Sequence, residues 1–167
     1  MRRLVSAISV GTFCILAVAT EDSSVVTSRG LGPVRFGMTT VQFGRALNED
    51  VSAPQNPDDQ NCFFLESKRF SDVYFMFEEG QLRRIDVRGD RISTEGGTHV
   101  GSLVTEVKQR FGRRLVDEPH HYSGPEGRYL TLALTPEVAV RFETSGTKVD
   151  NFYVGYKPQV QYVEGCL

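Results

Sequence analysis

Residues 32–47 read Gly-Pro-Val-Arg-Phe-Gly-Met-Thr-Thr-Val-Gln-Phe-Gly-Arg-Ala-Leu. The hydroxyl oxygen of Thr39 or Thr40 can cap the first turn of a helix, because it accepts an otherwise unpaired amide hydrogen. Apolar residues then recur at helical spacing. The stretch is therefore predicted to form a short strand or extended entry, a glycine turn and an amphipathic helix that ends at Leu47 or Asn48. The predicted apolar stripe of this helix consists of Val41, Phe43, Ala46 and Leu47.

A second stretch, residues 100–112, echoes the first. In both stretches a glycine precedes a small polar residue, and apolar residues follow at helical spacing. The second helix is predicted to run from about Ser102 to Phe111, with Gly112 as its left-handed C-terminal cap.

Each predicted helix is followed by a loop rich in Pro, Asp and Gly and then by strand-like runs. The loops are residues 48–61 and 117–128. Glu79 and Gly80 predict a tight turn between two antiparallel strands. The strand-like runs are residues 62–66, 72–78, 82–87, 129–134, 138–142 and 149–154.

The recurrence of helix, loop, three strands and turn in the same order predicts a duplicated unit. We therefore expect an α+β fold of two tandem repeats, each a helix packed on a three-stranded antiparallel sheet. The expected organisation is a signal peptide at 1–19, a flexible N-terminal segment at 20–29, a first repeat at 30–97 and a second repeat at 98–167. The C-terminal segment of the second repeat is expected to be tied to the first.

The amino terminus has the pattern of a secretory signal peptide. Arg2 and Arg3 precede an apolar run, and Ala17-Val18-Ala19 supplies the small residues of a cleavage site. The run is short for a membrane span, and Cys14 lies inside it rather than at its end, which argues against a lipid anchor. We expect a periplasmic or secreted protein with no stable membrane anchor.

Only two cysteines, Cys62 and Cys166, remain after cleavage of this segment. An even number of cysteines in an oxidising compartment predicts a disulfide. A Cys62–Cys166 bridge would tie the carboxy terminus to the first repeat.

The charge balance argues against nucleic acid as a partner. The chain has 19 Lys and Arg residues against 21 Asp and Glu residues, a formal net charge of −2. A mildly acidic chain without a basic stripe is poorly suited to bind a phosphate backbone.

Strand alternation predicts which residues face away from the helices. In the second strand, Val73, Phe75 and Phe77 point one way and their neighbours point the other. The resulting patch contains Tyr and Arg, the residue types that often anchor protein interfaces. An alternative is that this face packs against the other repeat or a terminal segment. The candidate binding residues are Tyr74, Met76, Arg84, Arg141 and Tyr153.

The sequence carries no catalytic signature, and we predict no catalytic residues, no cofactor and no metal site. His120 and His121 are adjacent, but a metal site needs three or four convergent ligands, and no nucleophile motif lies nearby. A small exported enzyme that uses this loop is one alternative function. A structural envelope protein without a discrete ligand is another.

The Phe-Gly-Met-Thr motif at 36–39, the downstream cysteine and the hairpin resemble the helix-plus-sheet module of the outer-membrane assembly lipoprotein BamE (SmpA). The doubled form with a disulfide and a signal peptide resembles the secreted β-lactamase-inhibitory proteins. These resemblances imply a curved sheet with helices on one face and a protein-binding surface on the other. We expect a non-enzymatic module, inhibitor-like or envelope-assembly-like, whose partner is another protein.

Overall fold

A computed structural model describes residues 24–56 and 61–166 of the chain. The predicted signal peptide at residues 1–19 lies outside these described residues. In chain order the strands and helices are β1 (Val25–Thr27), β2 (Gly30–Leu31), β3 (Val34–Arg35), α1 (Thr40–Leu47), β4 (Cys62–Ser67), β5 (Phe70–Glu78), β6 (Gln81–Val87), β7 (Ser93–Thr94), α2 (Val104–Phe111), β8 (Leu115–Pro119), β9 (Arg128–Ala133), β10 (Val138–Thr144) and β11 (Val149–Tyr156).

The strands form two sheets. The larger sheet has seven strands in the order β4-β5-β6-β11-β10-β9-β8, and the smaller has four in the order β3-β2-β1-β7. Every pairing in the larger sheet is antiparallel. The strands of the two halves of the chain meet where β6 pairs with β11.

The predicted fold of two repeats, each a helix on a three-stranded sheet, is wrong. The chain is mainly β, and one continuous seven-stranded sheet replaces the two predicted sheets. The two α-helices are only eight residues long each. Four strands had not been predicted, namely β1, β2, β7 and β8, whereas β3 lies in the stretch predicted to be a short strand or extended entry.

Helix α1 begins at the predicted threonine cap. The Thr39 hydroxyl accepts a hydrogen bond from the backbone amide of Gln42, and the Gln42 side chain accepts one from the Thr39 amide. The predicted end of the helix at Leu47 or Asn48 is confirmed, and Asn48 closes the helix in the left-handed conformation. One residue of the predicted apolar stripe is misplaced, because Val41 is exposed whereas the glycine at Gly44 is buried.

The core lies between the larger sheet and the two helices. Phe43 of α1 contacts two rings of β5, with centroids 4.8 Å from Phe75 and 5.5 Å from Phe77. On the other half of the sheet, Phe111 of α2 stacks on Phe142. The strand alternation predicted for β5 is therefore confirmed. We call this side of the larger sheet the helix face.

The N-terminal segment expected to be flexible contains a strand that packs in the core. Val26 of β1 is buried together with Leu31 and Val34 of the next two strands. Gly30 permits this tight arrangement, because a Cβ atom there would lie 2.0 Å from the Val34 carbonyl oxygen. Strands of two or three residues are too short to show an alternating pattern, so they could not be recognised from the sequence.

The predicted loop at residues 117–128 overlaps strand β8, which forms one edge of the larger sheet. Its residues Asp117, Glu118 and Pro119 are typical of loops, but they are also typical of an exposed edge strand. Proline is tolerated there because its missing amide faces away from the neighbouring strand. The apolar pattern that identifies buried strands is absent for the same reason.

Candidate functional site

The carboxy-terminal residues 157–166 run across the side of the larger sheet that faces away from the helices. We call these residues the C-terminal strap and the sheet surface beneath them the strap face. The Lys157 amide donates a hydrogen bond of 2.8 Å to the Glu137 carbonyl oxygen where the strap leaves the sheet. Val160, in a 3-10 helix (Gln159–Gln161), is fully buried and forms a small apolar cluster with Ala139 and Tyr153.

Arg84 fastens the strap to the sheet. Its Nη1 atom donates to the carbonyl oxygens of Gln159 at 2.8 Å and Tyr162 at 3.1 Å. Its Nε and Nη2 atoms donate to the two carboxylate oxygens of Asp86 at 2.7 and 2.8 Å. The guanidinium carbon lies 4.4 Å from the ring centre of Tyr153. Removing one partner from such a buried pair leaves an uncompensated charge, at a cost of about 3 to 5 kcal/mol.

The carboxyl group of Asp86 is buried between the sheet and the strap. Burial raises the pKa of Asp86, and the nearby Arg84 guanidinium offsets part of that effect. Burial also raises the pKa of Tyr153, and the adjacent carboxylate of Glu143 raises it further. The Tyr153 hydroxyl therefore stays protonated and donates a hydrogen bond of 3.0 Å to Glu143.

Arg141 makes a second connection between sheet and strap. Its Nε atom donates to the Thr131 hydroxyl at 2.9 Å, and its Nη2 atom donates to Glu118 at 3.2 Å. The same Nη2 atom donates to the side-chain oxygen of Gln161 in the strap. The guanidinium lies over the ring of Tyr129, with its carbon 4.8 Å from the ring centre.

A disulfide between Cys62 and Cys166 ties the end of the strap to edge strand β4. The predicted pairing is confirmed, and the two Cα atoms lie 5.3 Å apart across a sequence separation of 104 residues. In the chain-entropy model such a loop stabilises the fold by roughly 4 to 5 kcal/mol. Because disulfides persist in oxidising environments, this bond indicates an oxidising, extracytoplasmic compartment.

The five candidate binding residues all lie on the strap face, but four of them are buried. Met76 is fully buried, and Arg84, Arg141 and Tyr153 are each 3% exposed. Only Tyr74 is half-buried. The four buried side chains form the layer between sheet and strap, so they cannot form the outer surface of a protein interface.

Other side chains on this face are exposed, and the sequence did not identify them. Phe64 lies opposite Met76, and Val116 lies opposite Thr131, so both belong to the strap face. Tyr122 is 67% exposed, and its hydroxyl donates to Glu164 of the strap. The strand register could have placed Phe64 on this face, but nothing local to residues 119–128 shows that this loop reaches the strap.

Cavities flank the strap on the side of this loop. One of about 540 Å³ lies beside the disulfide, where Glu78, Tyr122, Tyr162 and Val163 contribute to its wall. A second of about 390 Å³ lies closer to the sheet, and Tyr129 and Arg141 are among the residues that line it. On this side, therefore, the strap is fixed by the disulfide and lined by these two cavities.

The two adjacent histidines occupy different environments. The Nδ1 atom of His120 accepts hydrogen bonds from the backbone amides of Tyr122 at 3.0 Å and Ser123 at 3.1 Å. Nδ1 must therefore be unprotonated, which places the proton of the neutral ring on Nε2, 3.7 Å from Glu143. His120 consequently stabilises the conformation of the loop at residues 120–123, whereas His121 is exposed. Among residues 24–56 and 61–166, no group of three or more His, Cys, Asp or Glu side chains is arranged to hold a metal ion.

No helix within the described parts of the chain is long and apolar enough to cross a membrane. No protein-family model matches the sequence, and no curated protein matches it either. The chain is similar in structure to the uncharacterized protein YfeY from Escherichia coli, with a TM-score of 0.50 and 12% sequence identity. The match covers 79% of this chain and 99% of that chain. At this identity the similarity shows the fold alone, so the resemblance to BamE and to β-lactamase-inhibitory proteins stays a hypothesis.

Proposed function

We propose that this chain is an exported, non-enzymatic protein that binds another protein through its strap face. The observation that supports this proposal is the exposure of large apolar side chains on the strap face. Five large hydrophobic side chains are exposed among the described residues, and three of them, Phe64, Val116 and Tyr122, lie on this face or on the loop beside it. Phe64 lies on edge strand β4 and Val116 on the opposite edge strand β8, so these apolar groups frame the strap rather than form one patch. We take the face that they share as the interaction surface.

The polar groups near these side chains suit a protein partner. Arg88 lies over the half-buried ring of Tyr74, with its guanidinium carbon 4.6 Å from the ring centre. Tyr and Arg are enriched at interfaces because each combines a large contact area with hydrogen-bonding atoms. The binding surface in this proposal is the outer layer of the strap face, consisting of Phe64, Tyr74, Arg88, Val116, Tyr122 and Val163.

The tether of the strap favours binding by a preformed surface. The disulfide at Cys166 and the Arg84 hydrogen bonds hold both ends of the strap on the sheet. A surface that is already ordered loses less conformational entropy on binding, which strengthens association. We infer a role like that of an inhibitor or an envelope-assembly factor, in which one rigid face recognises a partner.

The proposed location is the periplasm or the extracellular space. The disulfide supports an oxidising compartment, and the signal-like pattern of residues 1–19 supports export. The engagement of His120 by backbone amides supports a non-enzymatic role, because its Nδ1 atom cannot serve as a base while it accepts them.

Affinity capture from envelope extracts with matched variants tests this function. The wild-type protein and Val41→Ala, which changes an exposed side chain on α1, should retain the same partner. Tyr122→Ala and Val116→Ala, which truncate the more exposed of these side chains, should lose it while their thermal unfolding is unchanged. Identical sets of retained proteins for all four baits would contradict binding through the strap face.

A further inference from the structure

A polar pocket on the strap face has features of a ligand site. It has a volume of about 390 Å³ and lies between the end of β8, the loop that follows it and the strap. Both charged and neutral hydrogen-bonding groups line it. Its polar lining residues are Glu118, His120, His121, Tyr129, Arg141 and Gln161.

Tyr129 brings a hydroxyl group with unused hydrogen-bonding capacity to this pocket. The residue is 2% exposed, and its ring stacks on His120 with a centroid distance of 4.3 Å. Within the described residues, its hydroxyl has no hydrogen-bond partner of normal geometry. Burial raises the pKa of Tyr129, and the nearby backbone amide of His121 offsets part of that rise. Buried hydroxyls without a partner are uncommon, so each one requires an explanation.

Arg141 brings positive charge to the same pocket. Its guanidinium carbon lies 4.8 Å from the centre of the Tyr129 ring. Nε and Nη2 donate to Thr131, Glu118 and Gln161, whereas Nη1 donates no hydrogen bond within the described residues. The pocket therefore has a cationic group and a neutral hydroxyl close together, each with a proton available for donation.

We propose that this pocket binds a carboxylate group, which accepts hydrogen bonds from the Tyr129 hydroxyl and the Arg141 guanidinium. Without a ligand in the pocket, the Glu118 carboxylate accepts a hydrogen bond from the Arg141 guanidinium. The Glu118 side chain is half exposed and lies on an edge strand, so it can turn towards solvent and leave the guanidinium to the ligand. On binding, the ligand carboxylate therefore replaces the Glu118 carboxylate as the partner of Arg141.

The charge of the pocket favours a singly charged acid over a phosphate. Arg141 is the one arginine among the residues that line it, and Glu118 balances its charge. Glu143 also lies 3.7 Å from the His120 ring. A doubly charged phosphate would meet two nearby carboxylates with one guanidinium to offset them, whereas a planar carboxylate matches the guanidinium in shape and charge.

Two sources could supply the carboxylate, a free organic acid or the carboxy terminus of another chain. The inference goes beyond the proposed protein binding and does not depend on it, since a free acid could occupy the pocket without any protein partner. If Tyr122→Ala still captures the same partner, binding through the strap face is contradicted. The proposal for the pocket would still stand, because Tyr122 does not line the pocket.

Titration of the ¹⁵N-labelled protein with N-acetylglycine, followed by NMR, tests the proposal. The acid should shift signals of residues around Tyr129 and Gln161, and the uncharged control N-acetylglycinamide should not. A short peptide with a free carboxy terminus that binds more tightly than N-acetylglycine would assign the source as a protein chain. Equal binding of the peptide and the small acid would assign it as a free acid.

Two variants make the test specific. Tyr129→Phe keeps the ring stacked on His120 but removes the hydroxyl, and it should weaken binding by about tenfold, the effect of a hydrogen bond to a charged group. Glu118→Gln removes the competing carboxylate and should strengthen binding. The proposal is overturned if the acid and the amide behave alike, or if neither variant changes the affinity. Should Tyr129→Phe not fold, the absence of tighter binding in Glu118→Gln would overturn it alone.

Discussion

The Nη1 atom of Arg84 donates a hydrogen bond of 2.8 Å to the carbonyl oxygen of Gln159, 75 positions further along the chain. An arginine whose type and strand position predicted an anchor for another protein instead anchors the chain's own C-terminal strap. The solvent-facing surface on this side of the sheet is therefore one layer further out than strand alternation indicates. It includes the strap, the edge strands and the loop that carries Tyr122.

Arg84→Ala should lower the free energy of unfolding by about 3 to 5 kcal/mol, because Asp86 would be left charged and unpaired in a buried position. Urea denaturation monitored by circular dichroism measures the change. Arg91→Ala, at an exposed position, serves as the control and should change stability by less than about 0.5 kcal/mol. A loss below about 1 kcal/mol for Arg84→Ala would show that the strap is not held by this pair.

Gly155→Ala should destabilise the fold where β11 pairs with β6. A Cβ atom at this position would lie 2.4 Å from the Arg83 carbonyl oxygen and 2.8 Å from the Arg84 Cα atom. Backbone atoms cannot move away cheaply, so we expect a loss of about 1 to 3 kcal/mol, as in overpacked cores. Gly146→Ala is the matched control, because a Cβ atom there meets nothing within 4 Å. Equal unfolding temperatures for the two variants would refute this account.

Cys166→Ser should lower stability by about 2 to 5 kcal/mol through loss of the cross-link. Because Arg84 and Val160 still hold the beginning of the strap, we expect residues 163–166 to detach while the 3-10 helix stays docked. NMR order parameters distinguish the two parts, and they should fall only for residues near the end of the chain. An equal fall throughout residues 159–166 would show that the disulfide alone holds the strap.

Asp117 should contribute stability that disappears at low pH. Lys108 and Arg128 contact its carboxylate at 2.7 and 2.6 Å. Burial raises the pKa of Asp117, but these two partners lower it by more, and the net pKa lies below the usual value. The contribution is therefore present above the unfolded-state pKa of about 3.9 and is lost as the pH falls through the folded-state pKa. The stability difference between wild type and Asp117→Asn should shrink in that window, and a pH-independent difference would contradict the assignment.

The sequence predicted the strongly patterned elements and missed the weakly patterned ones. Helix α1 could be located because Thr39 caps it and Phe43 recurs with Leu47 at helical spacing. The hairpin at Glu79 and Gly80 could be located because a glycine lies between two strand-like runs. Both residues adopt a positive φ in the turn. Strands β1 to β3 are too short for a period, and β8 is too polar and exposed to show one.

The candidate site was predicted only in part, because covering of a sheet face is a long-range property. Alternation correctly placed Tyr153 and Arg141 on the face away from the helices, but nothing in the residues around them shows that residues 157–166 return across it. The cysteine pairing carried that information. A bond from Cys166 to Cys62 requires the end of the chain to cross from β11, the central strand of the sheet, to edge strand β4.

The affinity of the captured partner for Tyr122→Ala, compared with that for Val41→Ala, tests the central claim most directly. Tyr122 is exposed beside the strap, whereas Val41 is exposed on α1, on the other side of the sheet. Isothermal titration calorimetry should show a loss of more than about tenfold for Tyr122→Ala, as expected for an aromatic interface anchor. It should show no change for Val41→Ala, and both proteins should unfold at the wild-type temperature. Wild-type affinity in Tyr122→Ala, or an equal loss in Val41→Ala, would contradict binding through the strap face.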